Sequence, residues 1–297
     1  MPQIVAPSQD EIRRYAHGAL SKADVLDVVP VPLDVVTEAL GLTKEDLFEV
    51  GIDTMPEEMK RSAAKFSGLI LGALAKEKTL YVNSSNLGPR SRFTQAHELG
   101  HESLPWHSAF FYVDDKITLD PRTKLELEAE ANSFAAELLF GLDRFADEAD
   151  AYAPSLGVPL QLSNKFEVSK HAALRRYAAT SNHPVALITM GRNLVGANPG
   201  FPVIQDQCET SATFEHKYGP VTNLVGNLMK PIEHPSVATL SEMDHAIYGE
   251  PIDVTLDTKR GNISFQGHLF FNQYCRFILL IQPRPLGRSI RINQSAG

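Results

Sequence analysis

A chain of 297 residues is long for one core of ordinary size, so the length favours two domains. With 43% hydrophobic and 22% charged residues, both have the apolar content a core needs and neither reads as disordered. A formal net charge of -8 argues against a chain whose main task is gripping phosphate backbones, and Cys208 and Cys275, far apart and in no C-x-x-C spacing, suggest neither a disulfide framework nor a cysteine zinc site.

Residues 1–14 carry Asp10, Glu11, Arg13 and Arg14 and no apolar stretch of the kind a secretory signal needs, which predicts a cytoplasmic protein. A first helix is expected over residues 9–19 and a second over 33–40, the latter following Pro30 and Pro32 and stopped by Gly41. Leu69, Ile70 and Leu71, then Thr79, Leu80, Tyr81 and Val82, flank the charged turn Lys76-Glu77-Lys78 and predict a hairpin. Gly88-Pro89 opens a helix with proline in its favoured first turn, and that helix carries Phe93, Ala96, His97, Leu99, Gly100 and His101 until Pro105 stops it.

Residues 123–140 form a further predicted helix with Leu127, Ala131, Phe134, Ala135, Leu138 and Leu139 on one broad face. Residues 161–179 read as two short helices joined near Glu167-Val168-Ser169, a helix-turn-helix outline. Beyond Asn182-His183-Pro184 the pattern changes to strands at 185–190, 263–271 and 275–282. The most apolar stretch, residues 277–281, falls far short of the ~20 residues that span a bilayer, so no membrane role is expected.

The chemistry concentrates in His97-Glu98-Leu99-Gly100-His101. Histidines at i and i+4 share one helical face and can direct ring nitrogens to one ion, and a glutamate beside them can take the proton of an attacking water. The helix is otherwise largely apolar, and a buried charged trio needs a partner that a metal supplies. Two candidates compete for the third ligand. His107 lies at the metzincin offset, but Leu104 stands where that pattern needs a turning glycine. The alternative is a carboxylate from Glu126, Glu128 or Glu130 on the following helix, giving two histidines and one glutamate.

Arg92-Phe93-Thr94-Gln95-Ala96-His97-Glu98-Leu99-Gly100-His101, followed by Glu128-Ala129-Glu130-Ala131-Asn132-Ser133-Phe134-Ala135-Ala136-Glu137-Leu138-Leu139, resembles the ImmA/IrrE metallopeptidase family over roughly residues 1–180, with Phe140-Gly141 where that family often has Met-Pro. The resemblance implies Glu128 as third ligand, Asn132 supporting the site from one turn beyond, and Glu98 as the catalytic base. It implies zinc, with manganese or iron fitting the same ligands. It also implies a site-specific endopeptidase that cleaves a helix-turn-helix transcriptional repressor and so derepresses a stress or mobile-element response. The expected fold class is α+β: a mainly helical zincin-like peptidase domain with a small sheet over residues 1–150, a helix-turn-helix segment over 151–181, and a mixed α/β C-terminal domain over 182–297. By analogy with the family, that last domain is GAF-like or another sensor, taking a small-molecule or protein signal.

Gly68, Leu69, Ile70, Leu71 and Gly72 are the candidate edge for pairing with an extended substrate, although core packing explains the same residues. Lys165, Lys170, His171, Arg175 and Arg176 put positive charge on the helix-turn-helix outline, yet solvated cations are the commoner reason for such a face, so DNA binding is disfavoured. Tyr112, Tyr152 and His107 are candidate oxyanion partners among which nothing selects. Two rival readings remain beside the peptidase: a non-catalytic DNA-binding regulator, which would survive loss of Glu98, and a metal-dependent toxin.

Overall fold

The structure is a computed structural model that describes residues 8–46, 79–82, 88–107, 121–191, 207–219, 247–272 and 275–282. It separates into two units, Met1–Glu148 with Leu160–Ala173, and Ala149–Pro159 with Leu174–Gly297.

In the first unit, Ser8 caps α1 (Gln9–Lys22) by accepting from the Glu11 backbone N–H at 3.2 Å, and Asp10 and Glu11 place negative charge in the first turn. Ile12, Ala16, Ala19 and Leu20 recur at helical spacing and are buried. Helix α2 (Leu33–Ala39) is followed by β1 (Thr43–Asp46), which pairs in parallel with β2 (Thr79–Val82) from Thr43↔Thr79 to Asp46↔Val82. The described partner of β2 is thus an upstream strand. The other arm of the expected hairpin, with the candidate edge Gly68, Leu69, Ile70, Leu71 and Gly72, lies outside the described residues.

The two helices that frame the site are α3 (Pro89–Ser103) and α4 (Pro121–Leu139). They meet through Ala96, Leu99 and Gly100 on one and Ala131 and Phe134 on the other, all at most marginally exposed. Gly100 permits this approach: a Cβ built there would lie 3.1 Å from Ala131 O and 3.2 Å from Phe134 Cδ1. Helix α1 lies along α4, with Ser133 Oγ donating to Gln9 Oε1 at 2.6 Å and Arg13 pairing with Glu137 and Asp143. Helix α5 (Arg144–Asp150) follows a turn in which Gly141 has φ +60°, a left-handed conformation suited to glycine after a helix end. Helices α6 (Gly157–Lys165) and α7 (Lys170–Thr180) are the two short helices expected of the helix-turn-helix outline, and Ser169 Oγ accepts from the Ala172 N–H at 3.1 Å.

The second unit is organised by a five-stranded antiparallel sheet of β3 (Val185–Gly191), β4 (Gln207–Thr210), β5 (Ile247–Thr258), β6 (Gly261–Phe271) and β7 (Cys275–Ile281), in the order β4-β3-β7-β6-β5. Strand β7 is central enough that both of its alternating faces are buried, which is why its sequence reads as an apolar run. Helix α8 (Ala212–Tyr218) covers one face. Its cap Ser211 accepts from the N–H groups of Phe214 and Val185, and Phe214 and Tyr218 stack edge-wise or tilted on Phe265. Among the described residues the chain is thus α+β, and no helix is long and apolar enough to cross a membrane.

Candidate metal centre

Helix α3 begins where Gly88, at φ +87°, turns the chain into Pro89 at the first helical position. Its orientation is fixed by buried polar contacts. Gln95, 5% exposed, donates from Nε2 to Asp34 Oδ1 at 2.9 Å and Thr37 Oγ1 at 3.2 Å, tying α3 to α2. Lys44 of β1 reaches the same Asp34 at 2.6 Å. Arg92 donates to the Val31 carbonyl at 2.8 Å and pairs with Glu167 at 3.3 Å.

One turn apart on the next part of α3, His97 and His101 face α4, where Glu128 and Asn132 are themselves one turn apart. The His97 and His101 Nε2 atoms lie 3.1 Å from each other, and Glu128 Oε2 and Oε1 lie 3.3 Å from the first and 3.8 Å from the second. Donors bound to one zinc at ~2.0–2.1 Å with tetrahedral angles are separated by about 3.3 Å, so these three side chains already span the edges of a coordination site. They are the group of His, Cys, Asp or Glu side chains among the described residues whose ligand atoms converge within 4.8 Å of one another.

The hydrogen bonds behind the histidines decide which nitrogen carries the proton. His97 Nδ1 lies 3.0 Å from Asn132 Oδ1, and an amide oxygen only accepts, so Nδ1 is the donor and Nε2 keeps its lone pair. His101 Nδ1 lies 2.8 Å from His107 Nδ1, and His107 Nε2 lies 2.9 Å from Glu130 Oε2. Neutral imidazoles in this arrangement aim two bare nitrogens and a carboxylate at one point. Three acceptors facing each other without a donor repel, and a cation satisfies all three.

Where no cation is held, the electrostatics of the protein groups favour a proton at the same point. Burial alone would lower the His97 pKa, but the hydrogen bond to Glu128 and the charges of Glu98 and Glu128 carry it above the ordinary imidazole value, so that a proton competes for the position a cation would take. Burial, then the proximity of His97 and His107, pushes His101 down to about 3, which keeps it neutral and able to donate its lone pair. Glu128 is held below the usual carboxylate range, first by the His97 hydrogen bond. Glu98 is 7% exposed, and burial lifts it to about 8. The site therefore holds a carboxyl poised near neutrality beside a cluster of lone pairs, and nitrogen with carboxylate donors suits zinc and also manganese or iron.

The structure brings His97, His101 and Glu128 together, with Glu98 adjoining and Asn132 behind His97. His107 engages His101 and Glu130 with its two ring nitrogens instead of joining the converging group. Of the other oxyanion candidates, Tyr112 lies outside the described residues and Tyr152 is 54% exposed in the second unit. Two residues at the centre escaped the sequence reading as participants with a role of their own: Trp106 and Glu130, whose Nε1 and Oε2 are 2.6 Å apart. The available signal was the Trp106-His107 pair immediately after the helix-stopping proline.

Residues 49–177 match the family model described as Peptidase_M78, IrrE N-terminal-like domain. That segment is similar to an M78 peptidase domain. Within the matched segment fall α3, α4, α5 and α6, most of α7, and every residue of the candidate metal centre. The fold is similar to that of a Mycobacterium tuberculosis transcriptional regulator, with a TM-score of 0.52 and 12% identity over 91% of this chain and 86% of that one. No curated protein sequence matches the chain.

Proposed function

We propose that this chain is a zinc-dependent, site-specific endopeptidase with His97, His101 and Glu128 as metal ligands and Glu98 as general base. The observation that carries the reading is the convergence of three lone-pair donors within 4.8 Å beside a buried glutamate on the same helix. Zinc is the general requirement of M78 peptidases. A bound dication supplies Lewis acidity, making a water easier to deprotonate and a peptide carbonyl easier to attack. Glu98 takes the proton of the attacking water and returns it to the amine nitrogen that leaves as the C–N bond breaks. Asn132 holds His97 in the tautomer that presents Nε2.

The substrate is a helix-turn-helix transcriptional repressor cut in an exposed or interdomain segment, where several residues can become extended without breaking a core. Its cleavage derepresses a stress or mobile-element response. This specificity rests on the resemblance of the two linked motifs to the ImmA/IrrE family. The sheet-based second unit is assigned a sensor role, GAF-like or otherwise, on the same analogy.

The transcriptional regulator with the similar fold raises DNA binding as the alternative. Against it, Lys165 is paired with Glu148 at 2.6 Å and Arg175 with Glu209 at 2.5 Å, so carboxylates occupy two of the cations that phosphate contacts would use.

The test is to incubate the zinc-loaded chain, and its Glu98→Gln variant, with the repressor encoded nearest its gene and with casein. Cleavage of the repressor at one site by the wild type alone is expected. Rapid casein digestion with the repressor left intact would refute the assignment.

A further inference from the structure

After α3 the chain turns back on itself: the Leu104 N–H bonds to Gly100 O at 3.1 Å and the His107 N–H to Leu104 O at 3.0 Å. This short turn delivers Trp106 and His107 to the flank of α4. There Trp106 Nε1 and His107 Nε2 converge on one oxygen of Glu130, at 2.6 and 2.9 Å. The indole is packed edge-on against Tyr15, with ring centroids 5.4 Å apart. His107 is fully buried and the Glu130 side chain is 14% exposed, so solvent does not substitute for these bonds.

The direction of every hydrogen bond follows from the carboxylate. Glu130 can only accept, so the proton of His107 resides on Nε2. A neutral imidazole has one N–H, and in His107 it faces Glu130, which leaves Nδ1 bare. The 2.8 Å contact between His107 Nδ1 and His101 Nδ1 then requires His101 to be the donor. That choice frees His101 Nε2, the atom 3.1 Å from His97 Nε2 and 3.8 Å from Glu128. The two histidines are thus backed differently. A neutral amide stands behind His97, whereas a carboxylate acts on His101 through a second imidazole.

We propose that Trp106, Glu130 and His107 form a positioning relay that fixes His101 as the Nδ1–H tautomer, so that Glu130, which offers no atom to the coordination site, sets the metal affinity of that site. The relay rests on the reading of His97, His101 and Glu128 as metal ligands. It assigns Glu130 a task distinct from that of Glu128, two residues earlier on the same helix. It also makes His107 an intermediary between that carboxylate and His101 and gives it no place in the coordination sphere.

The experiment measures zinc dissociation constants by chelator competition on the full chain, together with 15N tautomer assignments of the histidines in zinc-free protein. Removing an outer hydrogen-bond partner of a ligating histidine costs roughly 10–100-fold in affinity, and that loss is expected for Glu130→Gln and His107→Leu. His107→Gln keeps an acceptor for His101 and a donor for Glu130, so most of the affinity should return in that variant. Glu126→Gln makes the same charge change on the same helix, at an exposed residue paired with Arg122, and should bind zinc as the wild type does. Thermal melts of the zinc-free variants separate misfolding from a lost relay. The wild type should show His101 protonated on Nδ1 and His107 on Nε2. Equal zinc affinity in wild type, Glu130→Gln and His107→Leu, or a wild-type His101 protonated on Nε2, would overturn the relay alone. A wild-type chain that takes up no zinc would overturn the metal reading, and the relay with it.

Discussion

Replacing Gly100 by alanine is the sharpest mechanical test of how α3 and α4 build the site. The added Cβ would meet Ala131 O at 3.1 Å, Ala131 Cα at 3.2 Å and Phe134 Cδ1 at 3.2 Å. Comfortable contacts lie at about 3.5–4.0 Å, so the helices must separate by roughly 0.3–0.4 Å. Two of the three atoms are backbone and cannot rotate away. Overpacking of this kind costs about 1–3 kcal/mol, and the better helix propensity of alanine returns about 1 kcal/mol, leaving a net loss of roughly 0–2 kcal/mol. The larger effect falls on the metal, because Glu128 stands on the displaced helix and its 3.8 Å approach to His101 is already the longest edge of the site. Zinc affinity should fall at least about tenfold, equivalent to ~1.4 kcal/mol. Urea denaturation of chelator-treated protein and zinc competition titration read the two effects separately. A Gly100→Ala protein that is more stable by about 1 kcal/mol, as at an unconstrained helical glycine, and that binds zinc as tightly as the wild type, would refute the close-packing argument.

Glu98→Gln should retain zinc and fold while cleavage falls by about 10²–10⁴-fold, since the amide cannot accept the water proton; a wild-type rate would remove Glu98 as base. In zinc-free protein the Glu98 pKa is raised from 4.5 to about 8, so the folded chain keeps a proton that the unfolded chain releases, and its contribution to stability is lost as pH rises across that window. Between pH 5 and pH 8, denaturation should show the chelated wild type losing more stability than Glu98→Gln, by on the order of a few kcal/mol, because the opposing contributions of His101 and His107 are common to both proteins. Gln95→Ala leaves the buried Thr37 Oγ1 without its donor and Asp34 with Lys44 alone, and should cost about 1–3 kcal/mol by urea denaturation; an unchanged midpoint would show that the polar tie between α2 and α3 contributes nothing to stability. Phe134→Ala, at a fully buried position under Gly100, should cost about 3–5 kcal/mol in the same assay.

The legible parts of the chain are those whose information is local. Gly88-Pro89 and Pro105 bracket α3, His97 and His101 share a face by spacing alone, and Glu128 and Asn132 recur one turn apart on a helix with strong apolar periodicity. What stayed hidden depends on contacts distant in sequence. Thr43-Lys44-Glu45-Asp46 has little β propensity, yet it is strand β1 because β2 supplies a parallel partner. Strand β5 is interrupted in its pattern by Pro251, which is tolerated because the strand is at the sheet edge and shifts register between Gly249 and Ile252. Glu130 lies two residues from Glu128 and therefore off the metal face of α4. Its connection to His101 exists only because the turn after α3 folds Trp106 and His107 back onto it.

The central claim is tested most directly by zinc stoichiometry, measured by elemental analysis and chelator competition on the wild type, Glu98→Gln, Glu128→Gln and His101→Gln. The account predicts one zinc per chain in the first two and loss of stoichiometric zinc in the last two. Absence of zinc from the wild type after exposure to it, or full retention in His101→Gln and Glu128→Gln, would contradict it.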